Sequence, residues 1–481
     1  MWLGLDLGTS AVKAVIVGAD GALLADATAP LTVERPYAHW SEQHPEAWWV
    51  ATDTAVRALP DALRESVRGI GLAGQMHGAV LLDATDRPLR PAILWNDGRS
   101  AAQCAAIDAD TASRRITGNA AMPGFTAPKL RWVREHEPDV FAAVARVMLP
   151  KDYLRLRMTG DAATDMADAS GTLWLDVRAR DWCEALLARD GLSRRNMPRL
   201  HEGSEVTGCL RPEVARAWGM GPVPVAAGAG DNAAAAVGAG AVAPGDAVLS
   251  LGTSGTLFVV TDEFVANPAQ GTHAFAHALP GLWHQMAVTL SAASAIDWAA
   301  AACGYAGPAE GYAAAEHASP FAGPELFLPY LAGERTPHND VAVRGAWCGL
   351  ALTSGREALM QAAREGVAFA FRDGLDAIAG TGAAIGTIWL SGGGTRSGSW
   401  CQLLATALDR PLLLGADAQT GPAFGAARLA RLAVDAEPVE TVCTRPTLDE
   451  RFAPDPSQGD RAAEKLGQFR RLYPALKDVL A

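Results

Sequence analysis

The stretch DLGTS at Asp6–Ser10 returns, without its acid, as SLGTS at Ser250–Ser254. Apolar runs frame both copies: Trp2–Leu7 and Ala11–Val17 around the first, Ala247–Leu251 and Thr256–Val260 around the second. Such runs, broken by glycine and small hydroxyl residues, predict β-hairpins with tight turns. A turn of this kind points backbone N–H groups into one small space, and its hydroxyls add donors, which suits phosphate oxygens. One copy would be an ordinary hairpin tip. Two copies predict two similar lobes, each presenting a phosphate loop: Gly8, Thr9 and Ser10 in one, Gly252, Thr253 and Ser254 in the other. The Asp-to-Ser exchange then has a chemical meaning, because one Mg²⁺ between the phosphates needs a carboxylate from one lobe only. Asp6 is the candidate metal ligand, directly or through water, and Lys13 borders the same loop.

Two further segments belong with the hairpins. In TIWLSGGGTRS (Thr387–Ser397) a strand runs into three glycines, and a helix is expected from about Ser397–Trp400 onward. Gly393 and Gly394 would let a flat ring or a ribose lie on bare backbone. In VPVAAGAGDNAAAAVGAG (Val223–Gly240) a short strand meets Gly-Ala-Gly, then Asp231-Asn232, then a helix of small residues. The same letters contain a GxGxxA fingerprint, but a pyrophosphate at that helix start would meet the Asp231 carboxylate, which argues against a dinucleotide. An Asp at a helix N-terminus is instead expected to be stabilised as the carboxylate. That suits either a simple helix cap or a base that accepts the proton of an attacking hydroxyl.

Composition narrows the classes. The chain has 481 residues, 49% apolar and 20% charged, with a formal net charge of −12. It is long enough for two or three domains, and its acidity argues against nucleic acid or an anionic membrane as partner. Seven widely spaced cysteines include no CxxC pair, the pattern of reduced thiols without a structural zinc site. The N-terminal stretch has no charged segment ahead of an apolar core, so a cytoplasmic location is expected.

DLGTS…K, GTSGT and GDNAA in this order resemble the sugar-kinase, actin and heat-shock-protein superfamily, and within it the FGGY carbohydrate kinases. IGLAGQMHGAVLL (Ile70–Leu82), MPGFTAPKLRW (Met122–Trp132), ILWNDGR (Ile93–Arg99) and FLPYLAGERTP (Phe327–Pro337) extend the resemblance over most of the chain. It implies an α/β fold of two ribonuclease-H-like lobes, of the actin/hexokinase/Hsp70 type, with ATP in the cleft between them. The boundary is expected at Val242–Asp246, giving lobes over 1–245 and 246–481. The resemblance implies Asp231 as the catalytic base, which also reaches the Mg²⁺ through water. Family members acting on glycerol carry Arg-Glu after the residue matching Gln75. Met76-His77 stand there instead and resemble the members that phosphorylate D-xylulose. Met76, His77, Asp231 and Asn232 are thus the expected sugar contacts, in a lobe pair that closes to exclude water. Another pentulose or a pentitol, or an ATP-driven binder without catalysis, are the rival readings. A homodimer is compatible with the resemblance. The plain reading of MPGFTAPKLRW is a helix capped by Thr126 with Pro128 in its first turn, and most Trp and Leu positions in these segments read as core packing.

Overall fold

The structure is a computed structural model that describes residues 1–416 and 421–480; the remaining residues of the second expected lobe, 417–420 and 481, lie outside the described residues. The chain opens as a meander of β1 (Trp2–Leu7), β2 (Ala11–Val17) and β3 (Leu23–Pro30), and β4 (Gly69–Gly74) joins β1 in parallel. A long excursion carries α1 (Thr126–His136) and α2 (Met166–Ser170). The sheet is completed by β5 (Val206–Cys209), β6 (Pro224–Ala226) and β7 (Ala229–Gly230), and α3 (Asp231–Gly238) follows directly. Its order is β5-β6-β4-β1-β2-β3, with β7 also paired to β4.

The second half repeats the plan. β8 (Ala247–Leu251), β9 (Gly255–Thr261), β10 (His273–Ala276) and β11 (Trp283–Thr289) lead into α4 (Ala293–Ala302), α5 (Pro308–Ala315) and the long α6 (Arg356–Ala379). Then come β12 (Ile388–Ser391), α7 (Gly398–Leu408), β13 (Leu412–Gly415), α8 (Pro422–Asp435) and β14 (Leu448–Phe452). This sheet runs β10-β11-β9-β8-β12-β13-β14. The series β3-β2-β1-β4-β6 and β11-β9-β8-β12-β13 match in sense: three antiparallel strands, then two parallel ones. The two-lobed arrangement expected from the repeated loop is the one observed.

The two-residue period of β1 divides its work. Leu3, Leu5 and Leu7 face a core with Trp48, Ile70 and Leu72. On the other face, Gly4 lies beneath α8, where a Cβ would come 1.9 Å from the Ala423 carbonyl oxygen. Gly71 meets the same helix, and a Cβ there would come 1.8 Å from the Ala426 oxygen. A helix from late in the chain therefore lies directly on the first sheet, and it also packs against α3. In the second lobe Leu249, Leu251 and Leu257 share a core with Phe369 of α6 and Trp400 of α7. In both lobes the parallel strands end at the side where open α/β sheets bind ligands.

Candidate active site

Two carboxylates flank the carboxyl end of β4. Asp6 of β1 is in register with Ala73 on one side, while Ala229 and Gly230 of β7 pair with Ala73 and Gly74 on the other and deliver Asp231. Asp6 is half-buried and its Oδ1 is enclosed without a hydrogen-bond partner. Burial first, and then the charge of Asp231, push the Asp6 carboxyl up to about 7; Lys13, its cross-strand neighbour on β2, pulls the other way. Asp231 is the first residue of α3, after Gly230, and so is not the helix cap. Its Oδ1 accepts from the Asn232 backbone N–H at 2.7 Å and from Asn232 Nδ2 at 2.8 Å. The sequence argument that a helix start holds this acid ionised needs correction: those donors do favour the carboxylate, but burial outweighs them and its pKa rises to about 6. Two acids at one strand end, with Asp231 raising the Asp6 pKa and Asp6 keeping an orphan oxygen, form a donor set suited to a hard cation.

The hairpin turns come next. The first closes with Gly8 N–H donating to Ala11 O at 3.0 Å. Thr9 is fastened by a ring of amides: Gln43 Nε2 donates to its carbonyl at 2.8 Å, and its hydroxyl donates to Gln75 Oε1 at 3.1 Å and accepts Trp95 Nε1–H at 2.9 Å. Gln75 Nε2 donates in turn to Gln43 Oε1 at 3.1 Å, as Trp48 Nε1 does at 2.9 Å. A trans peptide points its N–H opposite its C=O, so holding the Thr9 carbonyl turns the Ser10 N–H outward. Ser10 itself is exposed. In the second turn Gly252 O accepts from Ala293 N at 3.0 Å, and Thr253 O accepts from Ala292 N at 3.0 Å and Ser294 Oγ at 2.7 Å. With these carbonyls turned onto the start of α4, the Thr253 and Ser254 amides face away from it, and both side chains are exposed.

Beside the second turn lies a cavity of about 670 Å³, lined by Gly252, Thr253, Gly393 and Gly394 together with Asp297, Tyr312, Glu316 and Arg396. Helix α7 starts at Gly398, within the expected Ser397–Trp400 window, and Ser397 caps it, its oxygen accepting from Trp400 N. At Gly393 a Cβ would meet only the end of Arg396, at 3.5 Å, so that backbone is bare toward the cavity; Gly394 instead has Trp400 and Leu251 where a Cβ would go, at 2.5 and 2.8 Å. The volume and the mixed lining suit a nucleoside.

His77 stands at a left-handed φ of 69° between β4 and the following strand. That conformation costs about 1–2 kcal/mol for a non-glycine residue. Its carbonyl is held by Thr126 Oγ1 at 3.1 Å and Lys129 Nζ at 2.9 Å, both from α1. Its ring Nδ1 lies 3.0 Å from Gly171 O, just after α2. A carbonyl only accepts, so Nδ1 carries the proton; burial, then the charge of Lys129, lowers the ring pKa to about 3 and keeps it neutral. Nε2 is left with a lone pair for a hydroxyl. Met76 is buried beneath Gly230, where a Cβ would come 2.6 Å from its Cγ, so it supports the Asp231 turn from below.

A model of the N-terminal domain of the FGGY family of carbohydrate kinases matches residues 1–238, and one of the C-terminal domain matches 247–434. The chain belongs to the FGGY family of carbohydrate kinases. It is 50% identical over 485 residues, covering all of both chains, to the xylulose kinases of Escherichia coli (strain K12) and Klebsiella pneumoniae. Among solved structures it superposes on a "xyloylose kinase" from Brucella ovis with TM-score 0.96 and 48% identity, over 99% of each chain. The xylulose kinase of Rhodospirillum rubrum gives 0.92 and 30%, again over 99% of each. As a carbohydrate kinase, this family member uses ATP as phosphoryl donor.

Several residues of this FGGY kinase escaped the sequence reading. Thr126 is not a cap: Phe125 precedes α1 without a side-chain cap, and the Thr126 hydroxyl holds the His77 carbonyl. Trp95 is not core packing; it is 45% exposed and its indole N–H fastens Thr9. Both lie in segments that carried the family resemblance, which was the available signal. Gln43 lies in WSEQHPEAWW (Trp40–Trp49), which resembles the same family, whereas Asp297, Tyr312 and Glu316 carried no signal.

Proposed function

We propose that this enzyme transfers the γ-phosphoryl group of ATP to the 5-hydroxyl of D-xylulose, giving xylulose 5-phosphate and ADP. The acid pair at the end of β4 is the observation that carries this reading. Asp231, with a pKa raised to about 6, accepts the hydroxyl proton while that oxygen attacks phosphorus in line and the bond to the β,γ-bridging oxygen breaks. Asn232, which donates twice to Asp231 Oδ1, fixes the direction of the base. Ser10 with Gly8 on one side, and Gly252, Thr253 and Ser254 on the other, line the phosphate chain, with Lys13 beside Asp6. Gly393 and Gly394 form the adenosine floor. Neutral His77 accepts a hydroxyl of the sugar at Nε2.

The residues fit Mg²⁺: Asp6, with its enclosed orphan oxygen, and Asp231, through water, would hold it, and when bound it would neutralise charge on the β,γ oxygens. The turn at Val242–Asp246, ahead of β8, serves as the lobe boundary, and the enzyme works in the cytoplasm on a small sugar. The test is ADP release with Mg-ATP across D-xylulose, D-ribulose, L-ribulose, glycerol and no sugar. D-xylulose is expected to give the highest kcat/KM; a higher value with another pentulose would reassign the substrate.

A further inference from the structure

A charged group beside His77 is left unused by that mechanism. Arg335 belongs to the LAGERTP segment between β11 and α6, which is locked by its neighbour: Thr336 N donates to Val288 O and Thr336 Oγ1 to Gly271 O, each at 3.0 Å. The adjacent Glu334 does not partner the guanidinium. Its carboxylate takes Thr289 Oγ1 at 2.5 Å, Leu290 N at 2.9 Å and the backbone N–H of Arg335 at 2.7 Å. Among the described residues no carboxylate forms an ion pair with Arg335; its one side-chain bond runs from Nη1 to Nε2 of His273, at 3.3 Å.

The direction of that bond follows from its neighbours. Asn119 Nδ2 donates to Thr117 O at 2.7 Å and Ala274 O at 2.9 Å, which fixes Asn119 Oδ1 as an acceptor. His273 Nδ1, 3.1 Å from that oxygen, must therefore carry the ring proton. Burial and the charge of Arg335 keep His273 neutral, so Nε2 offers its lone pair to the guanidinium. One Nη is thereby oriented and the rest of the fork is free. The ring of His273 packs 5.4 Å from Phe125, and Phe125 packs 4.7 Å from His77, so this second-lobe arginine shares an aromatic seat with the first-lobe histidine.

Substrate chemistry supplies the ligand. A 2-ketopentose closes its furanose ring through O5, so a sugar whose 5-hydroxyl is to attack phosphorus must be bound as the open chain. Its carbon-2 oxygen is then a carbonyl that accepts and cannot donate. A guanidinium donates and cannot accept. We propose that Arg335, aligned by His273 and Asn119, donates to the carbon-2 carbonyl oxygen of the open-chain ketose and makes the site selective for 2-ketoses over pentitols. This rests on the D-xylulose reading above. An alcohol at carbon 2 can accept the same bond, but it brings a proton that the guanidinium cannot take. Leaving that donor buried and unmet costs roughly 5- to 100-fold in kcat/KM.

The test compares kcat/KM for D-xylulose with that for D-arabinitol and xylitol, which carry an alcohol at carbon 2, in wild type, Arg335→Gln and Arg335→Lys. Glutamine can both donate and accept, so Arg335→Gln is expected to lower D-xylulose kcat/KM about 10- to 100-fold and to shrink the ketose-to-pentitol ratio by a similar factor. Sugar-free ATP hydrolysis and the KM for ATP should not change. Arg335→Lys, still only a donor, should keep the ratio near wild type. A ratio unchanged in Arg335→Gln overturns the proposal while leaving the kinase reading intact; a wild type inactive on every ketose overturns both. If Arg335→Gln does not fold, His273→Ala, which releases the guanidinium, carries the same comparison, and a wild-type ratio there overturns the proposal.

Discussion

The two hairpin loops share their letters, but they differ by one residue in register, Leu7 pairing with Val12 and Leu251 with Gly255, and they are held by different means. In the first, the Thr9 carbonyl is clamped by the side-chain amide of Gln43, and the Thr9 hydroxyl is committed to Gln75 and Trp95. In the second, the Gly252 and Thr253 carbonyls are clamped by the start of α4, and the hydroxyls of Thr253 and Ser254 stay exposed. Both clamps do one job, turning amides toward the cleft. The difference follows from what stands at the head of each loop. Asp6 brings a buried charge whose position must be rigid, so its loop is enclosed in a closed polar ring. Ser250 brings none, and its loop borders the open cavity suited to a nucleoside. On the proposed reading, one supersecondary unit serves twice, once at the metal and proton end of the phosphate chain and once at the nucleotide end.

This division of labour can be broken experimentally. Among loop substitutions, the largest effect is expected from Asp6→Asn: a fall in kcat of about 10²–10³-fold with a higher Mg²⁺ requirement, read from ADP release against Mg²⁺ concentration. A loss no larger than that of Ser250→Ala would erase the asymmetry between the loops. Acid should then separate the lobes. In the first, Asp6 and Asp231 have folded pKa values near 7 and 6, above their unfolded values, so the folded state binds the extra protons and gains stability as pH falls from 7 toward 4, offset in part by His77, whose pKa is lowered to about 3. In the second, His277 is held neutral with a pKa near 3, and His273 and His284 are also shifted down by burial. The unfolded state binds those protons, so stability is lost as pH falls below 6.5, offset in part by Glu334, which is raised to about 7. Hydrogen exchange in EDTA at pH 5 against pH 7 should show β10 and β11 opening first, by on the order of 1–3 kcal/mol; earlier opening of β1 and β4 would contradict this.

Gln43→Ala comes next. It strands the Trp48 indole and the Gln75 amide, so a loss of about 2 kcal/mol in denaturant unfolding is expected, together with a raised KM for ATP. Ser294→Ala should do least. It removes one donor from Thr253 O, but the Ala292 and Ser294 amides remain. A stability change of about 0.5–1 kcal/mol and a KM for ATP within about threefold of wild type are expected; equal effects at Gln43 and Ser294 would mean the two clamps are equivalent.

What was legible in the sequence was whatever a few consecutive residues encode. A strand, a glycine turn and a strand, or a strand, Gly-Asp-Asn and a helix, are local patterns, and β1, β2, β8, β12, α3 and α7 follow them closely. The clamps were not legible, because their partners are far apart in the chain: 34 residues between Gln43 and Thr9, 86 between Trp95 and Thr9, 154 between His273 and Asn119. Only the packed fold brings them together. The ionisation of Asp231 was misjudged for a related reason, since the helix start is visible in the sequence and the burial that outweighs it is not.

The measurement that tests the central claim most directly is D-xylulose-dependent ADP release by Asp231→Asn beside wild type, with binding of D-xylulose and Mg-ADP followed by calorimetry. If Asp231 is the base, kcat should fall about 10²–10⁴-fold while both ligands still bind within a few-fold of wild type. Turnover retained within tenfold, with binding intact, would show that the proton goes elsewhere.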